Sequence, residues 1–241
     1  AVEPATAVFW TEMGPAAEAV PSGLPRKALA SRSITPSLVP GSRGGTPAPA
    51  TSLQDPFIET LVGLVTTPGL SATVQALQDF QTRYASTTNC EAAGEALFST
   101  FSALGLDDVR FEPFTFAGSY SSRNVVAEKT GETYPDDVYI LCAHYDSTSN
   151  NPYVAAPGAD DNASGCAALL SIAKAFRSLP KKPLRSTLFL WVSGEEIGLS
   201  GSQSYATNPL VPLEKTVCDL NIDMIGRVKG PADTGNSKPV V

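Results

Sequence analysis

The chain has 241 residues, of which 42% are hydrophobic and 17% charged, as is typical of a globular protein with a sizeable core. Its net charge of -7 argues against a nucleic-acid partner, because a phosphate-binding face needs clustered lysine and arginine. The longest mostly apolar run, residues 166–176, is too short to span a bilayer, so we expect no membrane partner.

The first 52 residues differ in composition from the rest of the chain. Eight prolines and five glycines fall within the first 50 residues, and both residue types interrupt helices and strand ladders. We therefore predict an irregular or disordered extension over residues 1–52, with one short strand at residues 7–10. Regular patterning begins after Ser52, and residues 53–241 are predicted to form the folded domain.

Three helices are predicted before the first strand of the folded domain. Residues 55–66 place their apolar side chains on one side, at helical spacing. A second helix is predicted to begin with Ser71 as its N-cap and to carry apolar residues as far as Tyr84. Asn89 is predicted to cap a third helix, which ends at Gly105.

Strands and helices alternate along the rest of the chain. The predicted strands are 109–116, 123–129, 138–143, 187–192 and 217–222, and the predicted helices are 164–176 and 201–206. Strands 138–143 and 187–192 are almost continuously apolar, as expected of strands that are covered on both faces. The pattern predicts an α/β fold with a mixed, mostly parallel central sheet and helices on both faces.

The four cysteines, Cys90, Cys142, Cys166 and Cys218, form no CxxC pair, which argues against a zinc knuckle or a redox motif. The last three lie in apolar predicted elements, so buried free thiols are the simpler interpretation for them. A disulfide between two of the four remains an open alternative at the level of sequence.

Side chains that can bind a metal follow three of the predicted strands. The candidates, with one loop residue that precedes helix 164–176, are His144, Asp146, Asp161, Glu195, Glu196 and Asp223. Ligands of α/β sheets collect beyond the carboxyl ends of the strands, so these groups are expected to converge. Each has a simpler explanation when taken alone: a packed histidine, an Asp-rich turn or a helix-opening acid pair.

If these groups converge, their negative charges need a positive counter-charge nearby. Carboxylates a few ångströms apart repel one another, and their pKa values rise unless a positive charge balances them. No lysine or arginine lies within these motifs, so a divalent cation is the natural counter-charge. One imidazole with several carboxylates suits zinc, with manganese or cobalt as substitutes. In the Glu195–Glu196 pair, one residue can bind metal while the other takes a proton from water.

Four motifs resemble those of the M28 family of zinc aminopeptidases and occur in the family's order. They are His144-Tyr-Asp-Ser, Pro-Gly-Ala-Asp160-Asp161-Asn-Ala-Ser-Gly, Gly194-Glu195-Glu196-Ile-Gly-Leu-Ser-Gly-Ser and Asn221-Ile-Asp223-Met-Ile-Gly. The similarity runs from about residue 53 to residue 228. It implies a fold of the zinc-exopeptidase type.

The resemblance also implies a ligand set for two zinc ions. Asp161 corresponds to the carboxylate that bridges both ions, and an unusual peptide bond is expected after it, towards Asn162. His144 and Asp223 correspond to the terminal ligands of one zinc, and Glu196 corresponds to a ligand of the other.

Two further roles follow from the same resemblance. Glu195 corresponds to the general base that activates water, and Asp146 to the acid that orients the histidine through its other ring nitrogen. The implied reaction is hydrolysis of the first peptide bond of a peptide that has a free N-terminus, with an apolar N-terminal residue preferred. A secreted location is implied as well.

One feature departs from the family pattern. The family has a further histidine ligand well after the Asp223 motif, whereas 18 residues follow Asp223 here and none is histidine. We therefore expect a domain that is incomplete at its C-terminus, with one tightly bound zinc at most and with reduced or no activity. The alternatives are a non-catalytic metal-binding or interaction module, and another M28-like reaction such as carboxypeptidase action or glutaminyl cyclisation.

Overall fold

The computed structural model describes residues 56–228 and the two-residue strand Lys238–Pro239. The predicted extension over residues 1–52, with its short strand, lies outside the described residues. The boundary between this extension and the folded domain therefore stays a prediction.

Three helices open the described part of the chain: α1 (Pro56–Val62), α2 (Thr67–Gln78) and α3 (Thr88–Leu104). All three were expected, and α3 ends as predicted at Gly105, which adopts a left-handed conformation with φ of 65°. Glycine adopts such a backbone without the steric penalty of a side chain.

Both predicted N-caps are wrong. The hydroxyl of Thr66 accepts a hydrogen bond from the backbone N–H of Gly69 and so begins α2, which places Ser71 inside the helix. The hydroxyl of Thr87 caps α3 in the same way, and the predicted cap Asn89 instead donates its side-chain N–H to the carbonyl of Phe80. In each case a threonine with an extended backbone lies a few residues before the predicted cap.

The segment Pro56–Gln78 has the length and composition of a helix that could cross a membrane. In the structure it is two helices, because the backbone at Thr66 is extended with φ of -121° and ψ of 142°. The apolar stretch is not buried in the fold, although α2 also packs against a later helix. The expectation that the chain has no membrane partner stays a prediction.

Five strands form an open mixed sheet in the order β1-β2-β4-β3-β5. They are β1 (Asp108–Phe116), β2 (Tyr120–Lys129), β3 (Tyr134–His144), β4 (Arg185–Val192) and β5 (Thr216–Asn221). Strand β3 runs parallel to β4 and β5, whereas β2 runs antiparallel to β1 and β4. The predicted α/β fold with a mixed sheet is confirmed. The short strands β6 (Arg227–Val228) and β7 (Lys238–Pro239) form a separate antiparallel pair.

Helices pack on both faces of the sheet, as predicted. One face carries α2, α3 and α4 (Gly165–Arg177) around a core in which the rings of Phe101 and Trp191 stack with centroids 3.8 Å apart. The other face carries α5 (Ser200–Thr207), whose Tyr205 packs among strand residues that alternate with those of the first core. Cys90, Cys142 and Cys166 are buried free thiols, and Cys218 is a half-buried one.

The parallel strands determine where the candidate site residues emerge. His144 pairs with Val192 across β3 and β4, and Cys142 pairs with Asn221 across β3 and β5. The carboxyl ends of β3, β4 and β5 therefore lie at the same edge of the sheet. This edge holds every segment that the sequence marked as a candidate ligand.

A cavity of about 560 Å³ lies on the second face, between α5 and strands β3 to β5. Ile140, Leu190 and Val192 contribute apolar walls, and Asp219 contributes a carboxylate. One oxygen of Asp219 has no hydrogen-bond partner among the described residues. Burial raises the pKa of Asp219 to about 6.

We predict that Asp219→Asn raises the free energy of unfolding at pH 8 and leaves it unchanged at pH 4. An aspartate in the unfolded chain titrates near pH ~4, so a folded-state pKa of about 6 removes stability as the pH rises between these two values. The neutral amide avoids this loss. Denaturant unfolding with a chelator present measures the difference. Asp136→Asn, at the exposed start of β3, is the control, and an equal effect of Asp219→Asn at both pH values would contradict the assignment.

Candidate metal centre

The only histidine of the chain, His144, is the last residue of β3, and its side chain is 2% exposed. Its Nδ1 lies 3.2 Å from the backbone oxygen of Asp146 and 3.5 Å from Oδ1 of the same residue. Its Nε2 lies 3.0 Å from Oδ1 of Asp161 and 3.3 Å from Oδ1 of Asp223. The imidazole therefore lies between one buried acid on one side and two partly exposed acids on the other.

The Nε2 atom of His144 is buried, yet it makes no hydrogen bond of acceptable geometry with these two neighbouring oxygens. One ligand atom each from His144, Asp161 and Asp223 lie within 4.8 Å of one another. A buried nitrogen that approaches two carboxylates without bonding to either is suited to a shared cation. Zinc binds histidine nitrogen and carboxylate oxygen, so this donor set fits zinc.

Burial lowers the pKa of His144, but its contacts with Asp146, Asp161 and Asp223 outweigh burial and raise the pKa well above the ordinary value. Without metal, a proton on the imidazole balances part of the acid cluster. A metal ion needs the neutral imidazole and must displace that proton.

Asp146 is fully buried and connects two parts of the site. Its Oδ1 accepts a hydrogen bond from the backbone N–H of Glu195 at 3.1 Å, and its Oδ2 accepts one from the N–H of Glu196 at 3.2 Å. The same carboxylate lies next to His144. Besides contacting the histidine, as the sequence predicted for it, Asp146 holds the turn that carries both glutamates. Sequence spacing gave no sign of this second contact.

Glu195 and Glu196 follow β4 and are half-buried. Burial raises the pKa of Glu195, with further contributions from the surrounding acids. Burial, followed by the negative charge of Asp161, raises the pKa of Glu196 to about 7. Neither glutamate belongs to the three-residue group around His144 within the described part of the chain. The predicted role of Glu196 as a ligand of a second metal stays a prediction.

Asp161 lies in the loop Ala159–Ser164 ahead of α4, and the peptide bond between Asp161 and Asn162 is cis. The polar side chains that alternate around Asp161 bind the backbone that carries Asp223. The side chain of Asn162 donates from Nδ2 to the carbonyl of Ile222 and accepts at Oδ1 from the N–H of Met224. Ser164 Oγ accepts from the N–H of Ile225, and Asp160 Oδ1 accepts from the N–H of Gly226.

The sequence did not predict this set of contacts. Asp160, Asn162 and Ser164 looked like turn formers, but their side chains bind successive backbone groups on both sides of Asp223. An ion pair of 3.0 Å between Arg227 and Asp160 extends the same contact. The alternation of polar residues in Asp160-Asp161-Asn-Ala-Ser was the one available signal, because alternate residues can point towards the same neighbour.

Comparison with known proteins supports the interpretation of this group of side chains as a zinc site. Residues 124–239 match the model of peptidase family M28. A probable zinc metalloprotease of Pyrenophora teres f. teres is 32% identical over 207 residues, which is 77% of this chain and 42% of the relative. Residues 124–239 of this chain thus belong to peptidase family M28. The family resemblance drawn from the four motifs is thus confirmed.

Other similar proteins carry more specific names. Leucine aminopeptidase 1 of Trichophyton rubrum is 32% identical over 127 residues, or 50% of this chain and 34% of the relative. A Zn-dependent exopeptidase structure from Parabacteroides distasonis superimposes with a TM-score of 0.58 at 23% identity, covering 68% of this chain and 63% of that one. The matches span less than half of each of these curated relatives.

We predict that zinc affinity increases with pH between 6 and 8, because His144 must lose its proton before it can bind metal. Below the pKa of the group that loses it, each displaced proton makes the zinc affinity rise by about tenfold per pH unit. Calorimetric titration with zinc at several pH values measures this dependence. A pH-independent affinity would contradict the role of His144.

We also predict that His144→Ala and Asp223→Asn each weaken zinc binding strongly, because the first removes a ligand atom of the three-residue group and the second replaces a charged carboxylate of that group with a neutral amide. Asp136→Asn makes the same charge change as Asp223→Asn at the opposite end of β3 and is expected to leave binding unchanged. Equilibrium dialysis compares the three variants with the parent chain, and equal losses in both aspartate variants would indicate a non-specific charge effect.

Proposed function

We propose that this chain carries the metal-binding edge of a zinc aminopeptidase that removes apolar N-terminal residues from peptides. The proposal depends on one observation: His144, Asp161 and Asp223 meet at a common point while Asp146 ties the Glu195–Glu196 turn to the same histidine. Relatives named leucine aminopeptidase and aminopeptidase support the substrate class. Secretion is proposed from the family resemblance alone.

A division of labour among the side chains follows from their surroundings. When bound, zinc would supply the Lewis acidity that polarises a scissile carbonyl and acidifies water. Glu195 takes a proton from the attacking water and returns it to the leaving amine, a task that its burial-raised pKa favours. Asp146 fixes the backbone of Glu195, so the carboxylate is held close to the reacting atoms.

The surroundings of the site also suit the proposed substrate. The positively charged α-amine of a peptide is attracted by the acids that surround His144. The cavity on the second sheet face is lined by Glu195 and Asp223 at one end and by apolar side chains such as Leu199 and Met224. An apolar N-terminal side chain can occupy this space while its peptide bond lies near Glu195.

Glu195→Gln is predicted to lower kcat by about 10²- to 10⁴-fold, the usual contribution of a general base, with zinc binding retained. The assay uses the longest natural form of the protein that contains this chain, with leucine 4-nitroanilide as substrate and its N-acetylated form as the blocked counterpart. Glu214→Gln, in the exposed turn Leu213–Lys215, is the matched control.

Two outcomes would contradict this function. Cleavage of the blocked substrate as fast as the free one would exclude an aminopeptidase and favour another M28-like reaction. Zinc binding without turnover of either substrate would favour a non-catalytic metal-binding module.

We further propose that the 241-residue chain binds one zinc tightly. Within the described residues a single group of three ligands surrounds one point, and Glu196 lies outside that group. Metal analysis after extensive dialysis is expected to give about one zinc per chain in the parent and much less in His144→Ala. Two tightly bound zinc ions per chain would reject this proposal.

A further inference from the structure

Arg83 lies between α2 and α3, ahead of the region that matches the family model, and its exposure is 0%. Its guanidinium donates only to backbone carbonyls. Nε donates to the carbonyl of Tyr145 at 2.7 Å. Nη1 donates to the carbonyls of Leu77 at 3.0 Å and Pro157 at 2.6 Å, and Nη2 donates to that of Gly158 at 2.9 Å. No carboxylate lies within ion-pair distance of it among the described residues.

The four carbonyls belong to three separate segments. Tyr145 directly follows His144, and Pro157 and Gly158 precede the loop that carries Asp161. Leu77 belongs to α2, which is itself packed against the sheet through α4. Arg83 therefore connects the segment that follows His144 to the segment that precedes Asp161, and it connects both segments to α2.

The backbone of Arg83 strengthens the same connection. Its N–H donates to Oγ of Ser147 at 3.1 Å, and its carbonyl accepts from the N–H of Ser147 at 3.1 Å. Oγ of Ser147 donates in turn to the carbonyl of Ala156 at 2.6 Å. Main chain and side chain of Arg83 thus bind segments 145–147 and 156–158 at several points.

A buried cation is costly unless its surroundings compensate for lost water. Burial lowers the pKa of Arg83, and the negative charges of Asp146 and Asp161 act in the opposite direction. Gly158 allows this close packing, since a Cβ atom there would collide with the carbonyl oxygen of Asp161 and the Cβ atom of Ser147 and would lie 2.9 Å from Nη2 of Arg83. An apolar side chain would fill this space at less electrostatic cost, but it could not hold two ligand loops at a fixed separation.

We propose that Arg83 is a positioning residue for the metal centre, which sets the separation of His144 and Asp161 by bridging the loops at Tyr145 and at Pro157–Gly158. This role rests on the proposed metal-binding function. The planar fork of arginine reaches carbonyls in several directions, whereas the single ammonium of lysine cannot span three segments. Arg83 has no contact with substrate in this role and acts only through the ligands that it positions.

The test compares the parent chain with Arg83→Lys and Arg83→Met by titration with Co²⁺, whose visible absorption reports both affinity and ligand geometry. Outer-shell partners of metal ligands typically contribute 10- to 100-fold to affinity, so we expect a loss of about tenfold or more in both variants, with an altered spectrum. Arg185→Lys, which removes the guanidinium hydrogen bond to Asp137 at the opposite end of the sheet, is the matched control and is expected to bind as the parent does.

Each outcome decides a different point. Parent-like affinity and spectrum in folded Arg83→Lys would show that Arg83 only stabilises the fold and would overturn the proposal. A parent chain that binds no Co²⁺ would overturn the proposed function together with this role. If both variants fail to fold, NMR of the parent decides: the Arg83 Nε–H resonance is expected to shift on addition of Zn²⁺ while that of Arg185 does not, and an unshifted Arg83 resonance would overturn the proposal.

Discussion

The concentration of negative charge around one imidazole is the constraint on which the rest of the site depends. Asp146, Asp161 and Asp223 surround His144 on both of its ring nitrogens, and two glutamates stand close by. Without metal, protons balance part of this negative charge, and the pKa values of His144 and Glu196 are raised accordingly. A divalent cation bound by His144, Asp161 and Asp223 would replace those protons and balance the negative charge.

The candidate ligands come from different strands and loops of the fold, and hydrogen bonds between these loops hold them together. Strand β3, which lies between β4 and β5, presents His144; β4 leads to the glutamates, and β5 leads to Asp223. Side chains around Asp161 bind the Asp223 segment, and Asp146 binds the glutamate turn. Precise placement of the ligands therefore arises from hydrogen bonds between loops, with the parallel strands setting only the approximate location.

The fold, and the place where His144, Asp161 and Asp223 meet, could be predicted from the sequence because both depend on strong, local signals. Continuous apolar runs revealed β3 and β4, and polar residues directly after them predicted where the site would be. The N-caps failed because Ser71 and Asn89 are as suitable chemically as Thr66 and Thr87, and only the backbone decides between them. Arg83 could not be found from sequence at all, since its partners are backbone carbonyls, which leave no mark on the identity of distant residues.

The contacts between the Asp161 loop and the Asp223 segment join positions about 60 residues apart in the chain. A large loop must close before such contacts contribute any energy, which costs conformational entropy. The three ligand atoms meet only when β5 is paired with β3, because Asp223 follows β5. A zinc ion at this site would therefore stabilise the domain only once these elements are assembled, in contrast to small modules whose ligands are neighbours in sequence and which fold around the ion.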